Sequence, residues 1–179
     1  MPPAVEYVKI PLSRVAVLIG PKGKTKKELE ERGQCRVKVE SKTGNVNVEG
    51  EDAASLLKTA NIVHAIGRGF SPEHAFKLFQ EDKYFELLDL AELIGQDPHA
   101  LSAKRGRVIG RNGSIREKIE EKTDCLVSVQ GKTIALIGKP EDLERAKKAV
   151  EMLLEGASHV SMLKYLDRMP REEPEFNLD

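Results

Sequence analysis

Two short segments with paired glycines contain the residues of this chain that are best suited to binding an anion. One is Gly20-Pro21-Lys22-Gly23 and the other is Gly110-Arg111-Asn112-Gly113, and each follows an apolar run and has basic neighbours. Glycine lets a phosphate chain approach the backbone without a Cβ clash, and a helix that starts after such a turn directs free N–H groups at the anion. The pattern therefore predicts two places that can hold a phosphate backbone.

The two segments are copies within a repeat, because equivalent residues lie 90 positions apart along the chain. The matching pairs downstream of the loops are Lys26/Arg116, Leu29/Ile119, Glu30/Glu120, Glu31/Glu121, Cys35/Cys125, Val37/Val127 and Val39/Val129. The repeat retains a polar, glycine-rich loop as well as apolar core positions. We therefore expect the loop itself to have a function.

The residues around both loops form the candidate binding site. The predicted phosphate contacts are Gly20, Pro21, Lys22, Gly23, Lys24, Lys26, Lys104, Arg105, Arg107, Gly110, Arg111, Asn112, Gly113, Ser114 and Arg116. The apolar residues predicted to wall a groove for unstacked bases are Val17, Ile19, Val39, Val108, Ile109 and Val129. Two alternatives stay open: loops that turn between helices without a ligand, favoured more for the first loop because Pro21 lacks an N–H, and a solvated helix face at residues 104–107.

Periodicity predicts the same order of elements around each loop: strand, helix, helix, strand, strand, helix. In the first unit these are residues 5–10, 14–19 with Ser13 as the N-cap, 24–32, 35–39, 46–48 and 52–66. In the second unit they are residues 84–90, 98–109 with Asp97 as the N-cap, 114–122, 125–129, 133–137 and 141–154. The predicted fold is α/β (α+β), with two tandem units that each pack a three-stranded antiparallel sheet against three helices.

The expected boundaries are a first domain over residues 1–69, a linker with a short helix over 70–82, a second domain over 83–156, a C-terminal helix over 157–169 and a flexible tail over 170–179. The linker is too apolar for a loose tether, so we expect the two units to be docked. The C-terminal helix either packs on its own domain or docks a protein partner, since Met162, Tyr165 and Met169 supply adaptable apolar surface.

Charge is balanced overall but not locally. The chain has 29 basic and 29 acidic residues, yet residues 13–27 contain five basic residues and no acidic one. Such local fields matter more to an anionic partner than the sum. The two cysteines are expected to be buried small apolar residues without a disulfide. Because no signal peptide and no long apolar span are evident, we expect a cytoplasmic protein with no membrane association.

Other chemistries fit the spacing poorly. Gly20 is separated from Gly23-Lys24 by two residues, whereas a nucleotide-binding P-loop needs four. The acidic pairs Glu30-Glu31 and Glu120-Glu121 have no histidine or third carboxylate in their pattern, so a solvated helix face is expected for them. No arrangement of nucleophile, base or metal ligands is evident. We therefore predict a protein that is not an enzyme and that uses no metal or cofactor.

The two Gly-x-x-Gly loops in this order of elements resemble the KH domain of the type I variant. That resemblance implies a loop that clamps about four nucleotides of single-stranded RNA beside an apolar groove. One departure is that Lys26 and Arg116 stand three positions after the second glycine, where most KH units have an aliphatic residue.

Residues 65–76 and 153–159 narrow the resemblance to archaeal members of the Partner-of-Nob family of small-subunit ribosome assembly factors, over roughly residues 4–169. The resemblance implies a role in small-subunit assembly or pre-rRNA processing, with binding to ribosomal RNA near the 3′ end of the small-subunit RNA. It also implies the Nob endonuclease and the alpha subunit of a translation initiation factor as partners. The alternative is a protein-interaction adaptor in ribosome assembly or translation initiation whose KH folds do not bind RNA.

Overall fold

The computed structural model describes residues 2–169 and contains two units of the same topology. The first unit consists of β1 (Ala4–Lys9), α1 (Leu12–Ile19), α2 (Lys24–Gly33), β2 (Arg36–Glu40), β3 (Asn45–Gly50) and α3 (Ala53–Gly67). A linker follows, with α4 (Pro72–Ala75) and a 3₁₀ turn (Phe76–Phe79). The second unit consists of β4 (Tyr84–Asp89), α5 (Leu90–Ile94), α6 (Pro98–Ile109), α7 (Ser114–Thr123), β5 (Leu126–Gln130), β6 (Thr133–Gly138) and α8 (Pro140–Leu154), and α9 (His159–Arg168) is the last helix of the described residues.

Each unit has one three-stranded antiparallel sheet, with the order β1-β3-β2 in the first and β4-β6-β5 in the second. The predicted α/β fold of tandem type I KH units is therefore confirmed. The last strand of each unit lies in the middle of its sheet. Strands β2 and β5 are consequently edge strands, and one side of their backbone is not paired within the sheet.

Several local predictions need correction. Helix α1 begins at Leu12 after Pro11, so Ser13 is not its N-cap. The strand predicted to reach residue 90 ends at Asp89, whose carboxylate accepts hydrogen bonds from Ala91 and Glu92 and starts the unpredicted helix α5. The predicted cap of α6 is confirmed, since Asp97 accepts from the Ala100 N–H at 2.9 Å. The tail predicted over residues 170–179 lies outside the described residues.

Both cysteines are buried and free, as predicted. Each sits beside a glycine at the end of the central strand: a Cβ added to Gly50 would lie 2.8 Å from Cys35 Sγ, and one added to Gly138 would lie 2.5 Å from Cys125 Sγ. Burial raises the pKa of Cys125 to about 11, so its thiol stays protonated at neutral pH. The pair of cysteines is a repeated packing element.

The two sheets differ in what covers their outer faces. The sheet of the first unit (sheet 1) presents Tyr7 beside Asn47 and Lys38, and Tyr7 is 75% exposed; the sheet of the second unit is sheet 2. In sheet 2 the equivalent central strand β6 is buried along its whole length. Its residues Ala135 and Ile137 join the apolar core that contains α3 of the first unit. The second unit therefore docks its sheet against the last helix of the first unit, and the repeat is not arranged symmetrically.

The linker is fixed to both units. On the side of the first unit, Arg14 donates to the carbonyls of Ile66 and Phe70, both at 2.8 Å. The Arg32 guanidinium lies over the rings of Phe76 and Phe79, at 5.4 and 4.5 Å from the ring centroids. Arg32 is exposed, and a cation–π pair at an exposed site contributes about 0.5–1 kcal/mol. On the side of the second unit, the Ser128 hydroxyl of β5 donates to the Arg68 carbonyl at 2.8 Å. Contacts on both sides are what the expectation of docked units requires.

The interface between the units is expected to weaken in acid through His64. Its ring stacks on Phe85 of the second unit, with centroids 6.4 Å apart. Burial, and then the charge of Arg68, lower the pKa of His64 from its ordinary 6.5. The unfolded chain therefore binds the proton more readily, so stability rises with pH between the lowered folded pKa and 6.5.

Urea unfolding of the wild type and of His64→Leu, each measured across this pH window, tests the prediction. The wild type is expected to lose stability as the pH falls below 6.5, and His64→Leu to lose less. Identical pH profiles for the two proteins would show that His64 does not couple the interface to pH.

Candidate nucleic-acid interface

The two Gly-x-x-Gly loops share one backbone conformation. In the first loop Gly20 has φ 73° and ψ 175°, Lys22 has φ 53° and Gly23 has φ 73°. In the second loop Gly110 has φ 72° and ψ 178°, Asn112 has φ 55° and Gly113 has φ 76°. Pro21 therefore leaves the backbone conformation of the first loop unchanged. The middle residues Lys22 and Asn112 occupy the left-handed region, which asparagine tolerates better than lysine.

The two glycines of each loop have different roles. A Cβ on Gly20 would lie 2.9 Å from the backbone nitrogen of Thr25, and one on Gly110 would lie 2.8 Å from that of Ile115. The first glycine thus lets the chain turn tightly onto its own next helix. A Cβ on Gly23 would meet nothing within 4 Å, so the second glycine leaves space open at the surface.

The loop tips are exposed, and each leads into a helix with no side-chain cap. Pro21, Lys22, Arg111 and Asn112 are all exposed. The N-cap residues Gly23 and Gly113 offer no side chain that could accept a hydrogen bond from the first turn of α2 or α7. The N–H groups of Gly23 and Lys24 donate to the Gly20 and Pro21 carbonyls within the loop, as do their equivalents in the second loop. The helix dipole favours an anion at such a position, and the lysine and arginine add positive charge. Lys24 is also exposed, whereas Ser114 is half-buried.

A glutamate ties the second helix of each unit to the edge strand. Glu30 accepts a hydrogen bond from the Val37 N–H at 2.8 Å, and Glu120 accepts one from the Val127 N–H at 2.9 Å. We expected these glutamates on a solvated face, but they are half-buried and structural. The sequence signal for this structural role was that Glu30 and Glu120 recur 90 positions apart, as the core residues of the repeat do.

The same glutamates account for the two basic residues that depart from the KH pattern. Lys26 Nζ lies 3.8 Å from Glu30, and Arg116 Nη1 lies 3.1 Å from Glu120. Both cations are thus held beside the edge strand of their unit. The carboxylate partly neutralises each cation, so these residues contribute less free charge to an anion than the loop tips do.

The outward backbone of the edge strand faces the groove. Because the Val37 and Val127 N–H groups point away from the sheet, and strand backbone groups alternate sides, those of Val39 and Val129 point the same way. The side chains of Val39 and Val129 are half-buried, as are those of Val17, Ile19 and Ile109. These apolar residues adjoin polar backbone groups that can pair with a base edge.

Val108 needs correction as a groove residue. It is fully buried in the core of the second unit, at 0% exposure, and is equivalent to Leu18 of the first unit, which is equally buried. The position equivalent to Val17 is Arg107. In both units this position packs inward, and Ile109, half-buried like its equivalent Ile19, is the predicted groove residue that α6 leaves at the surface.

The basic cluster before the second loop is largely occupied by contacts within the protein. Arg105 donates to the Gly131 carbonyl at 2.9 Å, and Arg107 donates to the Ala157 carbonyl. The His159 ring lies 3.1 Å from the Arg107 carbonyl, which joins α6 to the start of α9. Lys104 is half-exposed. These residues lie together with the loop but act in part as structural ties.

Within residues 2–169, no three histidine, cysteine, aspartate or glutamate side chains come together in a way that could hold a metal ion. None of the described helices combines the length and apolarity that crossing a bilayer requires.

Comparison with protein families finds two KH units. The KH domain model matches residues 5–64, and a model described as a eukaryotic type KH-domain (KH-domain type I) matches residues 84–171. The KH domain-containing protein MJ0443 of Methanocaldococcus jannaschii is 41% identical over 92% of this chain and 74% of its own length. RNA-binding protein PNO1 of Oryzias latipes is 28% identical over 69% of this chain, which spans about half (53%) of that protein.

Solved structures of Dim2p from Pyrococcus horikoshii OT3 have the same fold. One is 48% identical with a TM-score of 0.87, and covers 92% of this chain and 99% of its own. The other comes from the a/eIF2alpha-aDim2p-rRNA complex. It is 47% identical with a TM-score of 0.88, and the match covers 93% of this chain and 94% of that one.

Proposed function

The chain belongs to the family of KH-domain proteins that includes the RNA-binding protein PNO1 and Dim2p, and we propose from this premise that it clamps single-stranded ribosomal RNA through both loops. The observation that best supports two working clamps is the shared backbone conformation of the loops. The first loop keeps it despite Pro21. Both loops also keep an exposed cation at the tip, Lys22 in one and Arg111 in the other.

In this proposal the loop of each unit binds the RNA phosphates and the groove binds the bases. The phosphates lie against the N-termini of α2 and α7, where the backbone N–H groups and the loop cations hold them without regard to sequence. The bases unstack into the apolar groove and pair with the edge-strand backbone at Val39 and Val129. Two grooves held in one docked molecule raise the effective concentration of the second binding event.

We propose small-subunit ribosomal RNA near its 3′ end as the target, with a role in small-subunit assembly or pre-rRNA processing. Support comes from the aDim2p relative, which was crystallised with rRNA and a/eIF2alpha. We further propose that this chain acts in the cytoplasm without catalysis. Its partners would be the alpha subunit of a translation initiation factor and the Nob endonuclease.

Binding of a labelled single-stranded RNA from the small-subunit 3′ end tests the proposal. Affinity is expected to exceed that for the same RNA in a duplex, because a duplex cannot place unstacked bases in the grooves. It is also expected to fall as salt rises, because phosphate contacts release counterions. Equal affinity for the single strand and the duplex would contradict the proposal.

The adaptor alternative makes a different prediction in the same assay. An adaptor would bind the initiation factor alpha subunit with wild-type affinity while showing weak RNA binding that ignores substitutions in both loops. Loop-dependent RNA binding together with alpha-subunit binding would support the proposed function, and loop-independent RNA binding would favour the adaptor.

A further inference from the structure

A groove beside the second loop is built from two parts of the chain. Its volume is about 420 Å³, within the size range of pockets that hold small organic ligands. One wall is the apolar groove of the second unit, including Ile109, Arg116 and Val129. The opposite wall is the start of the linker, including Gly69, Ser71 and His74. The linker therefore extends the second groove beyond its own unit.

Close packing and hydrogen bonds hold the linker wall in place. Gly69 has a φ of 104°, which favours glycine, and a Cβ there would lie 2.5 Å from Ser128 Oγ, so the linker lies close against edge strand β5. The Ser128 hydroxyl donates to the Arg68 carbonyl at 2.8 Å. The Arg68 guanidinium lies 3.4 Å from Thr133 Oγ1 of β6. A wall fixed at several points costs little ordering entropy when a ligand enters.

The repeat alone does not generate this wall. The segment after α8, which corresponds to the linker start after α3, takes a different course. Its Ala157 carbonyl accepts a hydrogen bond from Arg107 of its own unit, and His159 contacts the same arginine's carbonyl. The linker start is also bonded to its own unit through Arg14, but unlike the segment after α8 it lies along β5 of the other unit as well. The composite groove thus depends on the docking of the two units.

We propose, on the basis of the proposed RNA-clamping function, that the linker is a second wall of the RNA site and that His74 contacts a nucleotide held by the second unit. His74 is exposed and lines the groove, and its backbone N–H donates a hydrogen bond to Ser71 Oγ at 3.3 Å. The imidazole carries a donor and an acceptor for a base edge or phosphate, and its flat face can stack on a base. The ligand is single-stranded RNA, since Ile109 and Arg116, which lie on either side of the second loop in the chain, line the groove.

The test places His74→Ala in two backgrounds. One carries Pro21→Asp/Lys22→Asp and binds RNA only through the second unit, and the other carries Arg111→Asp/Asn112→Asp and binds only through the first. The probe is labelled single-stranded RNA from the small-subunit 3′ end. In the first background His74→Ala is expected to weaken binding about fivefold, as for one lost hydrogen bond, and in the second to have no effect. The matched control is His99→Ala, an exposed histidine on α6.

The outcomes separate the two proposals. Unchanged affinity in the first background, with the loop substitutions themselves active, would overturn the linker wall and leave the clamp intact. An equal loss in both backgrounds would also overturn it, because the effect would not belong to the second groove. Loop substitutions without effect on affinity would overturn the clamp and with it the linker wall.

Discussion

Reversing the charge of either Gly-x-x-Gly loop is expected to lower the affinity for single-stranded RNA about a hundredfold at low salt. Pro21→Asp/Lys22→Asp and Arg111→Asp/Asn112→Asp each change the local charge by the same amount, from one cation to two carboxylates. In water each unit of charge near a phosphate contributes about 1 kcal/mol, so three units amount to about 3 kcal/mol. The replaced residues are exposed, so the fold should survive.

Fluorescence anisotropy at two salt concentrations measures the effect, and circular dichroism checks the fold. The matched control Leu57→Asp/Lys148→Asp makes the same charge change at exposed positions on α3 and α8. It is expected to reduce affinity by less than about threefold, because screening removes most long-range repulsion. A loss as large in the control as in the loops would mean that net charge, and not the clamp, governs binding.

Replacing the two glycines of one loop by alanine is expected to have different effects: the first substitution mainly lowers stability and the second mainly weakens RNA binding. Gly20→Ala forces a Cβ against the Thr25 backbone at a φ of 73° and should destabilise the protein by about 3 kcal/mol. Gly23→Ala has open space, so its cost is the left-handed backbone alone, about 1 kcal/mol. The added methyl would nevertheless occupy the space proposed for the phosphate, and we expect about tenfold weaker RNA binding.

Urea unfolding and RNA affinity, measured on the same samples, separate these effects. In the second loop, Gly110→Ala should likewise mainly lower stability and Gly113→Ala should mainly weaken RNA binding. Gly156→Ala is the control, since Gly156 also has positive φ and open space but lies after α8. If Gly23→Ala and Gly156→Ala bound RNA equally well, the open face of the loop would not be where the phosphate lies.

The loops and the order of elements could be predicted because their signals are local. Paired glycines, a cap such as Asp97 and alternating valines each act within a few residues. Helix α5 was missed because five residues are too few for periodicity, although Asp89 was an available cap signal. Glu30 could not be placed from periodicity, because its partner N–H belongs to Val37 on the next strand.

The docking of the units could not be predicted from the repeat, because the repeat suggests two equivalent halves. The relevant signal is the contrast between β3, which alternates polar and apolar residues, and β6, which is apolar almost throughout. A strand buried on both faces reads as a continuous apolar run. The pattern shows that something covers sheet 2, but only the structure identifies α3 and the linker as the cover. The prediction that Val108 lines the groove was wrong for a similar reason, since tertiary contacts decide which face of α6 is buried.

Backbone amide NMR shifts, recorded while single-stranded RNA from the small-subunit 3′ end is added, test the central claim most directly. We expect the largest changes at the amides of residues 20, 22–24 and 110–114 and at the edge-strand residues Val39 and Val129. Changes concentrated on the outer face of sheet 1, around Tyr7 and Asn47, with both loops unaffected, would contradict it.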